Sequence, residues 1–409
     1  MYQLLRNLTI VEGASFIAAP SCGLYFAQLG AEVIRFDMIG GGPDFGRWPK
    51  DEAGHSLYWE GLNKGKKSVA IALDRPEGRE LAVALATAPG PGRGIFLTNF
   101  PATGFLAYDR LAKRRADMIV LRVMGRPDGE AAVDYTVNAA VGVPYMTGPA
   151  NAEGPVNHVL PAWDLTTGAY AAFALLAAER HRQFGGGGEE VRIALSDVAM
   201  ASLGNIGQVA EVSLSARDRP RFGNDLFGAF GRDFLTRDRA RIMLVAITAR
   251  QWSGLVEALN IAAEIAAAEA AAGVSFARDE GHRFEHRDRI NAIVEKAVAG
   301  RDYADLIADF QKHGACWGPY RTVREALADD PDFSEQNPVF ATIDHPSGHR
   351  YLTPGAMASF TGMPRQAPAA APRLGEHTDE ILATHLGLSA REIGTLHDRK
   401  IVAGPGEKP

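Results

Sequence analysis

The chain contains 409 residues, of which 46% are hydrophobic and 22% are charged, and its formal net charge is −6. This length exceeds what one hydrophobic core usually supports and the composition is typical of a folded globular enzyme, so we expect two domains rather than a disordered or fibrous protein. The negative charge gives no reason to expect nucleic acid or an anionic membrane as a partner, because both select basic surfaces.

The first third of the chain alternates between strand and helix patterns. Residues 8–38 predict a strand, a loop with Pro20, a helix that ends at Gly30, and a second strand containing "AEVIRF". The alternation continues with predicted strands at 67–74, 94–100 and 117–125 and predicted helices at 76–88 and 107–116. It predicts a doubly wound, Rossmann-like α/β domain built on a parallel sheet.

Two glycine runs are candidates for phosphate binding. A phosphate cradle needs a strand before its glycines and a helix after them. The run at 185–188 has the reverse order, so we expect it to end the long helix that follows Asp164. The run at 40–42 follows a strand but lacks the helix, which predicts a glycine loop at the carboxyl edge of the sheet and not a dinucleotide fingerprint.

The second half of the chain changes character near residue 215. Residues 215–224 are polar and turn-rich, which is typical of a linker, and 240–260 begin a second α/β segment followed by an alanine-rich helix at 261–272. The chain is then loop-rich from 330 to 381 and closes with a helical segment. We therefore expect a smaller α/β domain after the linker.

Several kinds of site are absent from the sequence. Cys22 and Cys316 are too few for a disulfide framework, no histidine or cysteine cluster has zinc spacing, and no G-x-S-x-G serine elbow occurs. We expect no metal, no membrane span and a cytoplasmic location. Three lysines in "LNKGKKSV" (62–69) suit either a phosphate-bearing ligand or a solvated charged surface.

Asp164 lies in "LPAWDLTTG", directly before a run typical of a helix. Aspartate in this position is a preferred N-cap, and this structural role is the simpler interpretation. The positive end of a helix also keeps a carboxylate ionised and oriented, as a nucleophile requires. Residues alone leave both roles open.

Six segments in order resemble the class III CoA-transferase family, which includes formyl-CoA transferase, carnitine CoA-transferase and α-methylacyl-CoA racemase. They are "LGAEVIRFD" (29–37), "LNKGKKSVAIALDRPEGRELA" (62–82), "TNFPATG" (98–104), 160–199 around Asp164, "RFGN" (221–224) and "PRLGEHTDEIL" (372–382). The resemblance implies a CoA thioester as substrate and no permanently bound cofactor. It also implies an interlocked homodimer, with a large CoA-binding domain at 1–214 completed by 341–409 and a small domain at 215–340.

The resemblance implies roles for individual residues. Asp164 occupies the position of the nucleophile that carries the acyl group and then CoA. Contacts with CoA are implied for Ile17, Ala18, Leu73, Arg75, Asn99 and Phe100. His158 either contacts the substrate or is an ordinary turn residue.

Two departures from the family limit these expectations. The glycine-rich loop that many members carry ahead of the small domain's first strand is replaced by "LFGAFGRDF" (226–234), and an arginine expected soon after Phe100 is missing from "PATGFLAYD" (101–109). Arg47, Arg126 and Arg232 remain as candidate cations for a substrate carboxylate.

Within the family, "VDYTVN" (133–138) and "NHVLPAWD" (157–164) are similar to members that move CoA between the two carboxyl groups of one molecule of mesaconate. Intermolecular transfer to a free dicarboxylate would use the same aspartate. A racemase would need an acid/base pair, commonly with a histidine upstream of the aspartate, and no histidine occurs between His55 and His158, which leaves His158 itself as the candidate. A non-catalytic CoA-binding protein would not need Asp164.

Overall fold

The computed structural model describes residues 1–407, which form two compact units. The larger unit contains Met1–Val141, His158–Leu214 and the residues from Pro331 onward, and the smaller contains Gly142–Asn157 and Ser215–Asp330. Relative to the ranges predicted from the sequence, 142–157 lie in the smaller unit and 331–340 in the larger. Within residues 1–407, every helix is too short or too polar to span a membrane.

The strands form three sheets. In chain order they are β1 (Thr9–Gly13), β2 (Glu32–Met38), β3 (Lys67–Ile71), β4 (Ile95–Thr98), β5 (Ile119–Met124), β6 (Glu190–Ala194), β7 (Phe230–Leu235), β8 (Arg241–Ala246), β9 (Cys316–Pro319), β10 (Phe340–Asp344), β11 (Arg350–Pro354) and β12 (Val402–Ala403). The largest sheet has the order β12-β3-β2-β1-β4-β5-β6, in which β1 to β6 are parallel and β12 pairs antiparallel with β3.

Seventeen α-helices connect the strands of the described chain. They are α1 (Ala18–Gln28), α2 (Leu57–Leu62), α3 (Pro76–Ala86), α4 (Tyr108–Arg114), α5 (Asp134–Ala140), α6 (Val143–Met146), α7 (Ala162–Gln183), α8 (Leu195–Asn205), α9 (Gln208–Ser215), α10 (Ala249–Leu259), α11 (Ala262–Ala272), α12 (Glu280–Glu285), α13 (Arg287–Ala299), α14 (Tyr303–His313), α15 (Val323–Asp329), α16 (Thr378–Leu386) and α17 (Ala390–Asp398), with a 3-10 turn at Pro331–Phe333.

The larger unit is a doubly wound domain, as predicted. Buried side chains of α1, α5, α7 and α8 pack on one face of the seven-stranded sheet, and those of α3, α4 and α16 pack on the other. The strand order reverses between β1 and β4, and in such sheets ligands bind in the crevice at the carboxyl ends of the two central strands. The carboxyl edge of β1 and β4 is therefore the expected position of a site.

The smaller unit is an α/β domain built on the antiparallel sheet β7-β8-β9. Its core gathers Trp252, Phe276 and Phe310 with aliphatic side chains of α10, α11 and α13. The prediction of a second, smaller α/β domain is confirmed.

Some local structure differs from the sequence-based expectation. The loop-rich stretch after residue 330 contains the hairpin β10–β11, and α2 and α5 were not predicted. Both helices have only six or seven residues, too few for an apolar period to stand out. The run at 185–188 does end α7, with Gly185 at φ 90°.

Candidate active site

The residues predicted to contact CoA lie in loops at the carboxyl edge of the large sheet. Ile17 and Ala18 begin α1 after β1, Leu73 and Arg75 follow β3, and Asn99 and Phe100 follow β4. Parallel strands bring their carboxyl ends to one edge, so residues far apart in sequence share this position. Their contact with CoA remains a prediction.

The loop between β1 and α1 is held in a defined shape. The Asn99 side chain accepts from the Ser15 backbone N–H at 3.1 Å and donates to the Ser15 carbonyl at 2.8 Å. The Asp44 carboxylate accepts from the Phe16 N–H at 3.1 Å, and Phe16 has a left-handed backbone with φ 72°. A large residue in this conformation is strained and is typical of a functional loop.

A buried ionic network fixes Asp44 beneath this loop. The Arg35 guanidinium donates to Asp44 at 2.9 Å and to Asp37 at 2.8 Å, and it lies 3.5 Å from Glu12. All of these groups are almost fully buried. Because an unpaired buried charge is strongly unfavourable, the network resists rearrangement and keeps the first loop in place.

Helix α7 approaches α1 closely because of Gly168. A Cβ atom at this glycine would lie 2.7 Å from the Ala18 carbonyl oxygen and 2.9 Å from Ser21 Cβ. Only glycine fits there without displacement of the backbone. The first turn of α7, with Asp164, is therefore placed beside the beginning of α1.

The interpretation of Asp164 as an N-cap is wrong. Helix α7 begins at Ala162 with Pro161 as its N-cap, so Asp164 is the third helical residue. The carboxylate of Asp134 caps this helix, since one of its oxygens accepts from the backbone N–H groups of Trp163 at 2.7 Å and of Asp164 at 3.0 Å. The Asp164 side chain is thus released from capping.

Burial, together with the nearby negative charge of Asp134, raises the pKa of Asp164 to about 7, while Arg47 acts in the opposite direction. No described residue hydrogen-bonds the Asp164 carboxylate, although it is partly buried. A poorly solvated carboxylate of raised basicity is a strong oxygen nucleophile once it is ionised.

Arg47 and Tyr58 lie beside Asp164. The Arg47 guanidinium is 5.4 Å from the ring centre of Phe16 and 5.5 Å from that of Tyr58. The Arg47 guanidinium forms no ion pair with a carboxylate of residues 1–407, although its charge acts on Asp164, and the buried Tyr58 hydroxyl has no hydrogen-bond partner there. We call Asp164, Arg47 and Tyr58 the acid site, because it presents a cation and a free hydroxyl next to the carboxylate.

The remaining candidates occupy different places. His158 Nε2 lies 2.6 Å from the Asp134 carboxylate, so it is linked to Asp164 through Asp134. Among the contacts of the described residues, none joins the exposed Arg126 to Asp164. Arg232 lines a cavity of about 500 Å³ in the smaller unit, 3.8 Å from Asp225.

Two of the three lysines at 62–69 form ion pairs within the fold. Lys66 is buried and pairs with Glu12 at 2.9 Å, and Lys67 pairs with Glu32 at 2.9 Å. Lys64 is also buried, and burial lowers its pKa to about 8. These carboxylates come from β1 and β2, so only the tertiary structure reveals the pairing.

Comparison with known proteins identifies the family. The family model described as CoA-transferase family III matches residues 5–378. This chain belongs to CoA-transferase family III. It is 52% identical over 406 residues to the 2-methylfumaryl-CoA isomerase of Chloroflexus aurantiacus, with 99% of each chain covered. It is 26% identical to the succinyl-CoA–D-citramalate CoA-transferase of the same organism, over 97% of this chain and 98% of the relative.

A solved structure supports the same assignment. The crystal structure of a CaiB/BaiF family protein from Brucella suis has a TM-score of 0.74 and 25% identity, and the match covers 94% of this chain and 99% of that one. The family resemblance inferred from the sequence is confirmed. A CoA thioester as substrate agrees with membership of CoA-transferase family III.

The structure shows what lies in the two regions where the chain departs from the resemblance. Ahead of β7, the segment that replaces the glycine-rich loop contains Phe227, which packs against Phe222 and Phe284 at ring distances of 5.6 and 5.2 Å. At the carboxyl edge of β3, Arg79 of α3 donates to the Leu73 carbonyl at 2.8 Å and lies 5.7 Å from the ring of Phe105.

Arg79, Tyr58 and Asp134 are three candidate functional residues that were missed from the sequence. Arg79 places a guanidinium in the loop region from which the expected arginine is absent. "VDYTVN" was singled out only as a resemblance, and nothing local to it indicates that Asp134 caps a helix that begins 28 residues later. In the described part of the chain, histidine, cysteine and carboxylate side chains form no group suited to a metal ion.

Proposed function

We propose that this protein is a 2-methylfumaryl-CoA isomerase, which moves CoA from C1 to C4 of mesaconate within one molecule. The observation that carries the proposal is a partly buried Asp164 carboxylate without a hydrogen-bond partner among residues 1–407, beside an Arg47 without a described carboxylate partner. The similarity to the Chloroflexus aurantiacus isomerase over nearly the whole chain supports the choice of substrate.

The reaction begins with attack of an Asp164 oxygen on the thioester carbonyl of mesaconyl-C1-CoA. The carbon–sulfur bond breaks, CoA leaves as a thiolate, and a mixed anhydride joins Asp164 to C1 of the acid. The thiolate then attacks the aspartyl carbonyl, which releases mesaconate and leaves an aspartyl-CoA thioester.

The second half of the reaction transfers CoA from Asp164 to the C4 carboxylate by the same steps in reverse order. The C4 carboxylate attacks the aspartyl thioester and displaces the thiolate, which then attacks the C4 acyl carbon and restores Asp164. No proton is gained or lost in the whole sequence. Water has to be excluded, because it would hydrolyse the anhydride and the thioester.

The acid site explains how the free acid is retained between the two halves. The guanidinium of Arg47 pairs with the carboxylate that is not reacting, and the Tyr58 hydroxyl donates a hydrogen bond to it. Since the Arg47 side chain has no ion pair and the Tyr58 hydroxyl no hydrogen bond among residues 1–407, binding the acid breaks neither kind of contact.

The proposed CoA contacts run along the carboxyl edge of the sheet. Backbone and apolar contacts from Ile17, Ala18 and Leu73, with Asn99 and Phe100, suit the adenine and pantetheine, while Arg75 and Arg79 supply positive charge for the phosphates.

We also propose that the protein is a homodimer in the cytoplasm. The outward faces of α7, α8 and α9 expose large apolar side chains, including Tyr170, Phe173, Met200, Ile206 and Val209. Apolar surface of this extent on adjacent helices is typical of a protein interface. Sedimentation velocity at micromolar concentration tests the dimer, and a monomer would contradict it.

Trapping of the covalent intermediate tests the chemistry. Purified enzyme mixed with mesaconyl-C1-CoA and quenched with hydroxylamine should carry a hydroxamate on Asp164, detected by peptide mass spectrometry. Asp164→Ala should show no modification and no isomerisation, whereas Asp128→Asn, an exposed carboxylate outside the site, should behave as wild type. Full turnover by Asp164→Ala would refute the proposal.

Labelled free mesaconate separates this proposal from intermolecular transfer. Wild-type enzyme should convert mesaconyl-C1-CoA without taking label into the thioester product. Arg47→Gln should turn over more slowly and incorporate label, because the released acid is no longer held. Stoichiometric labelling by the wild type would instead indicate an intermolecular transferase.

A further inference from the structure

The N-cap residue of helix α7 provides no side-chain hydrogen-bond acceptor for the backbone N–H groups of the first turn. Pro161, the N-cap, has no side-chain oxygen, and the first turn of a helix leaves backbone N–H groups without partners. The N–H groups of Trp163 and Asp164 are instead accepted by one carboxylate oxygen of Asp134, at 2.7 and 3.0 Å. Asp134 itself is buried at the start of α5.

The same arrangement prevents Asp164 from satisfying the helix itself. An acidic residue at the third helical position ordinarily reaches back to the backbone N–H of the N-cap residue. Pro161 has no N–H, the Ala162 N–H donates to the Leu160 carbonyl, and the N–H groups of Trp163 and Asp164 donate to Asp134. The Asp164 carboxylate therefore has no free backbone N–H group of the N-cap or of Trp163 and Asp164 from which to accept a hydrogen bond.

The second oxygen of Asp134 is also engaged. It lies 2.6 Å from His158 Nε2, and the His158 ring contacts the rings of Tyr135 and Trp163. The Trp163 indole N–H donates to Asn138 at 3.1 Å, which fixes α5 against the beginning of α7. Asp134 is thus bonded on both oxygens, and its charge is held close to Asp164.

We propose that Asp134 is the positioning residue of this enzyme: it caps α7 in place of Asp164 and so leaves both oxygens of Asp164 free to carry the acyl group and then CoA. The inference rests on the proposed role of Asp164 as the nucleophile. Among the described residues, Asp134 and Arg47 act electrostatically on Asp164, Tyr58 lies beside it, and His158 contacts Asp134.

Asp134→Asn separates the charge from the hydrogen bonds. The amide oxygen can accept from both backbone N–H groups, and the amide nitrogen can donate to His158 Nε2, so the geometry is kept while the charge is lost. The acid limb of the kcat/KM profile should therefore move to lower pH by about one unit, because a neighbouring like charge no longer disfavours the ionised Asp164. A purely structural role of Asp134 would leave this limb in place.

Asp134→Ala removes the cap as well. It should lower kcat/KM on the plateau by about tenfold or more, because two N–H groups at the start of α7 lose their acceptor and Asp164 becomes free to turn towards them. Asp128→Asn, whose carboxylate also accepts a backbone N–H in the same region of the larger unit, is the matched control and should reproduce the wild-type profile. A plateau kcat/KM of Asp134→Ala equal to that of wild type would overturn the proposed capping role, and superimposable pH profiles for wild type and Asp134→Asn would overturn the effect of its charge on Asp164.

A turnover-independent measurement distinguishes failure of this inference from failure of the proposed reaction. Carbodiimide-mediated coupling of glycine ethyl ester to Asp164, followed by peptide mass spectrometry across pH 5 to 9, reports the ionisation of this carboxyl in the absence of substrate. Its midpoint should lie at lower pH in Asp134→Asn than in wild type. If mesaconyl-CoA is not isomerised but this midpoint moves, the substrate assignment fails while the role of Asp134 stands.

Discussion

Replacing Asp164 by asparagine should abolish turnover and at the same time stabilise the protein at neutral and alkaline pH. The pKa of Asp164 rises from 3.8 to about 7 in the folded protein. A difference of this size corresponds to about 4 kcal/mol, which is the free energy that the folded protein loses by ionising this carboxyl. It is an upper bound, because solvent reaches part of the side chain.

The sign of the pH dependence follows from proton binding. Between pH 4 and pH 7 the folded protein holds the Asp164 proton and the unfolded chain does not, so the free energy of unfolding falls as the pH rises through this range. Above pH 7 both states are ionised and the loss is constant. The asparagine side chain of the variant does not ionise, so the stability difference between variant and wild type should be near zero at pH 4 and largest above pH 7.

Urea unfolding followed by tryptophan fluorescence at pH 5, 6.5 and 8 measures this difference, and Trp163 lies next to the substituted residue. Asp128→Asn is the control for loss of a carboxylate outside the site and should show no comparable gain. A stability difference that does not change with pH, or an Asp164→Asn variant less stable than wild type at pH 8, would refute the reasoning about burial.

Three further predictions concern activity and packing. For the wild type, kcat/KM should decrease about tenfold for each pH unit below 7, because only ionised Asp164 attacks, and a flat profile from pH 5 to 8 would contradict the pKa of about 7. Arg79→Gln should raise KM for the CoA ester about tenfold with little change in kcat, since a charge-assisted contact with a phosphate is lost, whereas the exposed Arg110→Gln should have no effect on KM. Gly168→Ala should destabilise the fold by about 1–3 kcal/mol and lower activity, because its Cβ would lie 2.7 Å from the Ala18 carbonyl oxygen. Gly204→Ala in α8, where the nearest atom is at 4.0 Å, should be neutral or slightly stabilising in thermal unfolding.

The sequence predicted the large-scale structure well because alternation of strands and helices is a local pattern. The predicted strands and helices up to residue 125 and the long helix after Asp164 all occur, although Pro20, expected in a loop, lies in the first turn of α1. The Rossmann-like strand order agrees with this alternation. The start of α7 was misjudged because proline at the N-cap position moves the first helical residue ahead of the aspartate. A sequence shows which residues are able to cap a helix, but it does not show a cap supplied from another helix.

The acid site required tertiary information for a related reason. Arg47 was one of three equivalent arginines in the sequence, and the structure distinguishes it from Arg126 and Arg232 by its position near Asp164, Phe16 and Tyr58. The ion pairs of Lys66 and Lys67 could not be predicted either, because their partners Glu12 and Glu32 lie on β1 and β2, far away in the sequence. In both cases the role of the side chain depends on which residues surround it in the fold, and the sequence shows only the residue type.

At the beginning of α7, the Asp164 carboxylate, which is the proposed nucleophile, does not stabilise the helix by capping it. A carboxylate in the first turn of a helix normally stabilises that helix by accepting N–H groups and by its interaction with the helix dipole. Here Pro161 removes one donor and Asp134 occupies two others, so the helix is stabilised by a residue that does not react. The nucleophile changes its bonding partner several times in each turnover, and a side chain with a fixed structural bond would have to break it every time. Separating the two tasks between two aspartates leaves the first turn of α7 in place while Asp164 carries first the acid and then CoA.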